Sequence, residues 1–329
     1  MMVITKTPLR VSFFGGGTDY PTWYRTYGGA VLSTTIDKYG YITVRHLPPF
    51  FEHKNLIVWS KIEKVKHRDE IEHPSVRESM RYFGIEDGLG VHYDGDLPAR
   101  TGLGSSSAFT VGFVNALLTL KGMDVTKQQL AEHAIHIEQN MLKENVGSQD
   151  QVAAAFGGLN KISFAANGAI VVTPMRMSPA RAEELQRNLM LVFTGFERTA
   201  SDVAREQVAN THEKTEELRA MHAMVDQAAA IITSDTHPLD DFGRLLDESW
   251  QIKQTLSSKI TNGAIGDIYE TARQAGAIGG KLLGAGGGGF LLLYVRPENQ
   301  PKVREALKGF LHVPFRFDTT GSTVIHRMV

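Results

Sequence analysis

The sequence contains no cysteine. That excludes a disulfide framework, thiolate metal sites and a cysteine nucleophile, and it fits a reducing compartment. Net charge is almost absent too: 35 Lys and Arg stand against 36 Asp and Glu, leaving −1 at pH 7. Such a chain has no electrostatic footprint for nucleic acid or for an anionic membrane, so any basic site must be a local pocket. Long apolar runs are missing; Phe290 to Val295, one of the longest, is far too short to span a bilayer. The opening MMVITKTPLRVSFF has no apolar stretch behind its charges, so no secretory leader is expected. These absences predict a cytoplasmic protein whose partners are small molecules, with no nucleic acid and no membrane. A homodimer stays open.

What the chain does have is length and glycine. Its 329 residues exceed one ordinary hydrophobic core and suggest two domains in close contact, 1–178 and 179–329. Residues 1–100 read mainly as short strands: Val3–Ile4, Arg10–Phe14, Ala30–Thr35, Tyr41–Arg45, Leu56–Ser60 and His92–Leu97, with a helix near His73–Phe83. Ser105–Lys121 is apolar almost all round, with Ala108, Gly112 and Ala116 among its small residues, and predicts a buried helix packed closely on a sheet. Lys127–Glu144 predicts an amphipathic helix, and a hairpin follows over Leu159–Phe164 and Ala169–Pro174. Beyond 178 the pattern is mostly helical: Ala180–Asn188, a stretch over 200–234 broken once, Leu239–Thr255 and Gly263–Ala275. Strands are expected at Leu189–Thr194, Phe290–Val295 and Val313–Phe317, with a last helix over Lys302–Phe310.

Three glycine-bearing segments carry chemistry. The first, LPARTGLGSSSA at 97–108, runs from a strand through a Gly-rich turn into the buried helix. Glycines there let the backbone approach an anion, and the free N–H groups and dipole of a helix start face it. Gly102, Leu103, Gly104, Ser105, Ser106 and Ser107 are the candidate phosphate cradle. The bland alternative is that Ser105 merely caps the helix, but a cap needs one serine rather than a Gly-x-Gly turn followed by three. No lysine follows the last glycine, so this is not a Walker A loop. The second, KLLGAGGGGF at 281–290, formally contains G-x-G-x-x-G, yet a strand follows it where a dinucleotide site needs a helix. Five glycines in six positions exceed what a turn requires, so this backbone is expected to press on a ligand or on the first loop. The third is RVSFFGGGTDY at 10–20, where Gly15–Gly17 open space and Thr18 and Asp19 offer short hydrogen-bonding groups. An ordinary turn with Asp19 as a helix cap is an equal reading. Two carboxylates complete the set. Glu138 borders the buried stripe of its helix, where a surface ion pair is the usual fate. Asp150 lies after a turn in GSQDQ, where a helix cap is the common role. Both meet only if the turn at 145–147 folds the chain back. His133 and His136 beside Glu132 invite a metal reading, but their spacing is poor helix geometry for zinc and no third ligand is evident.

The three segments, in this order, resemble the motifs of the GHMP kinases, the superfamily of galactokinase and of the homoserine, mevalonate and phosphomevalonate kinases. The resemblance runs nearly end to end. Within it, FGGGTDYPTWY, GSQDQVAAAFGGLN, TGFERTAS at 194–201 and SWQIK at 249–253 are similar to the heptose 7-phosphate kinase branch. Ser107 departs from the alanine of many members, a change conservative in size.

The resemblance implies an α+β fold, with an N-terminal domain like ribosomal protein S5 domain 2 and a ferredoxin-like C-terminal domain. It implies transfer of the ATP γ-phosphoryl group, with Mg²⁺, to the anomeric C1 hydroxyl of a heptose 7-phosphate. The 1,7-bisphosphate so formed leads to a GDP-activated heptose for surface polysaccharide. Phosphoryl transfer needs positioning and charge neutralisation more than covalent chemistry. By the same resemblance Asp150 is the base, and Arg10 keeps it ionised and favours the anionic transition state. Ser106 and Glu138 are the Mg²⁺ ligands. Thr18, Asp19, Gly17, Gly286 and Gly287 border the sugar. Trp59 and Ser60 border the adenine. The acceptor's own phosphate needs cations, for which Arg198 and Lys253 are the candidates and Arg45 the reserve. Other GHMP sugar kinases, acting on fucose, galactose or N-acetylhexosamine, and a catalytically silent sugar sensor are the rival readings.

Overall fold

A computed structural model describes residues 1–195 and 200–328. Thirteen strands lie among these described residues: β1 (Met2–Phe14), β2 (Gly29–His46), β3 (Asn55–Val58), β4 (Ile62–Val65), β5 (Leu89–Gly95), β6 (Leu159–Phe164), β7 (Ile170–Pro174), β8 (Leu189–Phe193), β9 (Gly279–Leu282), β10 (Phe290–Tyr294), β11 (Leu311–Val313), β12 (Phe317–Asp318) and β13 (Thr323–Met328). Nine of them form one sheet along the path β13-β1-β2-β5-β3-β4, with β12 and β6 also on β2 and β7 on β6. The other four form a second sheet in the order β11-β8-β10-β9. The mixture of helix and sheet is the expected α+β class. The chain end returns home, because β12 pairs with β2 and β13 with β1. Residues 317–328 therefore belong to the first sheet, although they follow the second in sequence.

β1 and β2 are the backbone of the site. The sequence divides each into two short runs, whereas each is one long strand. The apparent breaks are bulges. Pro8 faces Tyr39 but Leu9 faces Ile36, so Asp37 and Lys38 loop out beside the proline that cannot donate to the ladder. Short helix Pro21–Tyr27 and strands β4, β9 and β13 were not anticipated.

Helix Ser105–Leu120 lies on β1, as its all-round apolar sequence predicts. The Thr5 hydroxyl donates to the Gly112 carbonyl at 3.0 Å, and a Cβ on Gly112 would come within 2.6 Å of Thr7 Oγ1. Only glycine permits that approach. The two sheets share a core: Phe242, on helix Asp240–Gln254, meets Phe13 and Phe14 edge-on with ring centroids 5.4 and 5.2 Å apart. The 200–234 stretch is broken once as expected, into helices Ala200–Ala209 and Thr215–Thr233. No helix among the described residues is long and apolar enough to cross a membrane.

Candidate active site

The phosphate-loop segment ends on Gly104 in the left-handed conformation (φ 73°), which starts helix Ser105–Leu120 with no side-chain cap. Ser105 is therefore not a cap; its hydroxyl accepts the Arg100 N–H at 3.2 Å and braces the loop. The first turn of a long buried helix is left with free N–H donors, the arrangement that favours an anion. Ser106 is exposed on this turn, and Ser107 is buried.

Arg10 joins its own motif to the phosphate loop and to Asp150. From β1 its backbone N–H donates to Leu103 O (3.0 Å) and its Nη1 to Gly102 O (2.6 Å). Its Nε and Nη2 hold both oxygens of Asp150 at 2.7 and 2.8 Å, the bidentate fork that makes arginine–carboxylate pairs strong and directional. Arg10 is buried, whereas the Asp150 side chain keeps 25% of its exposure. Each carboxylate oxygen has two acceptor directions, so one on each remains beyond the fork. Asp150 does not cap its helix, Gln149–Phe156, where the N-cap is Ser148. Its Oδ2 lies 3.3 Å from where a Cβ on Gly104 would stand, which seats the carboxylate beside the phosphate-loop helix.

Asp19 is not a helix cap either. Its Oδ1 accepts from Gly17 N (2.9 Å) and its Oδ2 from Gln149 Nε2 (3.0 Å), and it is buried against Gly147, where a Cβ would clash at 1.8 Å. Burial, reinforced by Asp150, pushes its carboxyl pKa up. Burial and the two carboxylates likewise push the Tyr20 phenol up, which places Tyr20 in the same electrostatic neighbourhood. Thr18 points inward. Its hydroxyl donates to Gly15 O (2.8 Å) and Ala30 O (2.9 Å), so it ties the loop to β2 instead of facing a sugar.

Glu138 lies in the π-helical turn His136–Met141 that follows helix Lys127–Ile135, and it is 1% exposed. The sequence reads one continuous helix there, with Glu138 at the edge of the stripe. A π turn adds a residue to the repeat and swings the side chain inward, a device common at functional sites. Its Oε2 accepts from Ser107 Oγ at 2.8 Å and from Gln151 Nε2. Its Oε1 is buried with no hydrogen-bond partner. Burial raises its pKa to about 7.

The 281–290 glycine loop presses on the phosphate loop, one of the two alternatives its composition left open. A Cβ on Gly284 would lie 2.4 Å from Gly102 Cα, and one on Gly102 2.4 Å from Leu283 O. Gly286 packs on Ile260, and the Gly287 N–H donates to Ile260 O at 2.9 Å. Both are buried wall, not open donors for a sugar. Gly284→Ala combines a left-handed φ of 73° with that clash. It is expected to cost about 2 kcal/mol or more in denaturant unfolding. Gly266→Ala, in a helix with nothing within 4 Å of its Cβ, is the contrast, expected to gain about 0.5–1 kcal/mol.

Lys253 is also wall. It is 4% exposed, and its ammonium donates to the Gly284 and Leu282 carbonyls, so it does not present a cation to an open acceptor pocket. Arg45 faces Met2 in the β1–β2 ladder while Arg10 faces Thr35. Eight residues of strand separate Met2 from Arg10, about 26 Å, which removes Arg45 from the site. Arg198 lies outside the described residues. Trp59 donates from Nε1 to Glu63 Oε1 at 2.8 Å and meets His73 edge-on at 4.8 Å; His73 stacks on Phe109 at 4.4 Å, one turn along the phosphate-loop helix. Burial lowers the His73 pKa to about 4, so this aromatic wall is uncharged at neutral pH. Ser60 is exposed at the adjoining β3–β4 turn.

Sequence reasoning missed Gln149 and Gln151, which orient Asp19 and Glu138, and Lys281, whose buried ammonium donates to Phe13 O at 2.9 Å. The signal for the glutamines was their flanking of Asp150 at the start of a small-residue helix.

Known proteins are similar to this chain in sequence and fold. Residues 73–158 match the GHMP kinases N terminal domain and residues 204–313 the GHMP kinases C terminal domain. The chain is 30% identical over 316 residues, 92% of each chain, to the D-glycero-alpha-D-manno-heptose 7-phosphate kinase of Campylobacter jejuni. Among solved structures it superposes on a D-glycero-D-manno-heptose 1-phosphate kinase from Bacteroides thetaiotaomicron with a TM-score of 0.81, at 23% identity over 100% of both chains. The Lactococcus lactis galactokinase complexed with galactose gives 0.74 at 19% identity, over 98% of this chain and 95% of that one. The chain belongs to the GHMP kinases. It is a sugar kinase, a phosphotransferase that carries a phosphoryl group from ATP to a hydroxyl.

Proposed function

We propose that the acceptor is D-glycero-D-manno-heptose 7-phosphate and that the hydroxyl phosphorylated is the anomeric one at C1. The carrying observation is the 30% identity, across 92% of both chains, with a heptose 7-phosphate kinase. In this reading the product is the 1,7-bisphosphate, and the reaction takes place in the cytoplasm.

The geometry supports the following roles. The 102–107 loop and the uncapped helix start hold the nucleotide phosphates. Asp150 takes the acceptor hydroxyl proton on an oxygen not engaged by Arg10, and Arg10 keeps the carboxylate aimed and faces the transferring group with positive charge. Asp19, held by Gln149 and Gly17, and Gly17 itself border the sugar. The Trp59, His73 and Phe109 wall and Ser60 lie toward the adenine.

The donor set also fits Mg²⁺. Glu138 Oε1 is a buried carboxylate oxygen without a partner, and the exposed Ser106 hydroxyl is a second hard donor on the adjacent helix turn. No cluster of three or more metal-ligating side chains occurs among the described residues. One carboxylate and one hydroxyl leave the remaining positions to phosphate oxygens and water, as Mg²⁺ prefers. When bound, the ion supplies charge neutralisation on the phosphates.

The test is a panel of sugars with and without a terminal phosphate. A 7-phosphate carries about two charges near neutral pH, and each charge-assisted hydrogen bond to it contributes roughly 1.5–3 kcal/mol. Heptose 7-phosphate is expected to exceed heptose by roughly 10²-fold in kcat/KM, about 2.7 kcal/mol. Arg198→Ala, in the TGFERTAS segment, is expected to erase most of that preference. Equal kcat/KM for the two sugars would exclude the heptose-phosphate assignment, and turnover of fucose or galactose in its place would move the protein to another branch of the family.

A further inference from the structure

Lys253 sits at the C-terminal end of helix Asp240–Gln254, buried, with carbonyls as its hydrogen-bond partners. A buried ammonium held by carbonyls is a poor core residue; an apolar side chain of the same volume usually serves a core at least as well. The position of those carbonyls gives the charge a use. Gly284 O, which Lys253 holds, belongs to the residue packed directly on Gly102. Gly102 O in turn receives Arg10 Nη1, and Arg10 holds both oxygens of Asp150. One unbroken series of contacts thus runs from a helix packed on the second sheet to the candidate base in the first.

The groups facing Lys253 agree with this. Arg10 on β1 and Lys281 on β9 are the neighbouring cations, and Asp19 in the acceptor loop is the carboxylate within electrostatic range. Burial, then Arg10, lowers the Lys253 pKa to about 8. Lys281 makes the parallel attachment, donating to Phe13 O just before the acceptor loop.

We infer that Lys253 is a positioning residue for phosphoryl transfer: its ammonium fastens the 284–289 glycine loop onto the phosphate loop and thereby fixes the Arg10–Asp150 pair. The inference rests on Asp150 being the base. Lys253 does not touch substrate, and its contribution is the register of the two loops.

The test is a kinetic comparison in the full chain. Lys253→Met keeps volume and removes the charge and the donors. It is expected to lower kcat about 10²-fold, the effect of a misplacement near 1 Å, with acceptor KM unchanged and with falls in ATP affinity and melting temperature too small to account for the lost turnover. Lys253→Arg, which keeps charge and donors, is expected to recover most of the lost kcat. In a double-mutant cycle Lys253→Met and Gly284→Ala should not multiply, because both open the same contact. Should the methionine variant fail to fold, Lys253→Gln is measured with the same readouts. Unchanged kcat in the charge-free variant, no rescue by arginine, or fully multiplicative losses would each overturn the role. If Asp150→Asn were itself fully active, the reading of the site would fail instead; a dead Asp150→Asn beside a normal Lys253→Met would sink only this inference.

Discussion

Asp150→Asn is expected to lower kcat by roughly 10²–10⁴-fold, the usual contribution of a positioned general base, while ATP still binds. The asparagine fills the same space but cannot satisfy the fork. Arg10 offers two N–H donors to the two carboxylate oxygens, and an amide presents one oxygen and one NH₂. One arginine donor then faces another donor. The variant also leaves a buried guanidinium without its counter-charge, a loss smaller than the roughly 3–5 kcal/mol of a fully buried pair because the Asp150 side chain keeps 25% of its exposure. A lower melting temperature should therefore accompany the lost turnover. Single-turnover kinetics with saturating ATP separate the two effects, since they report chemistry on the folded fraction alone. A kcat close to that of the unmodified protein would remove Asp150 from the reaction and leave Arg10 as the group to examine.

How much of this was legible in the sequence differs from residue to residue. The phosphate-loop helix was, because an all-apolar run of small residues behind a Gly-x-Gly turn has few other fates. Asp150 and Arg10 stand out in their motifs and the resemblance implies that they meet, but the two-oxygen fork and the hold on the phosphate loop are not readable, since 140 residues separate them in the chain. β1 and β2 were read as fragments because proline and glycine mark breaks locally, and the bulge that accommodates Pro8 needs Tyr39 and Ile36 opposite it to be visible. Thr18 shows the limit of residue chemistry. A threonine beside three glycines suits a sugar hydroxyl, yet β2 offers the Ala30 carbonyl and the hydroxyl turns inward. Lys253 was placed by its motif and expected to face the acceptor; its burial depends on the glycine loop folding over it. The burial of Glu138 is hidden for another reason. A 3.6-residue repeat puts it at the helix edge, and only the π turn carries it into the core.

That burial gives Glu138→Gln two opposite expected effects. The carboxyl has a folded pKa of about 7 against an ordinary 4.5, with desolvation the leading cause. A group whose pKa rises on folding imposes no penalty below its unfolded pKa, and the penalty grows as pH rises until the folded pKa is passed. In the metal-free protein the full penalty is present above pH 7, on the order of 3 kcal/mol for a shift of this size. Glutamine keeps an oxygen to accept from Ser107 and Gln151 and carries no charge at any pH. The variant should therefore melt several degrees higher than the unmodified protein at pH 8 without metal, and the advantage should vanish as pH falls toward 4.5. Activity should move the other way. A neutral amide is a far weaker Mg²⁺ ligand than a carboxylate, so affinity for Mg²⁺-ATP should drop while affinity for metal-free ATP holds, and kcat should fall steeply. Adding Ser106→Ala should deepen the loss for Mg²⁺-ATP only. Mg²⁺ titration should also release protons from the unmodified protein near pH 7, and not from the glutamine variant, because the ion selects the ionised carboxylate. A variant no more stable than the parent at pH 8 would mean that the carboxyl is solvated; equal losses for both forms of ATP would remove Glu138 from the metal.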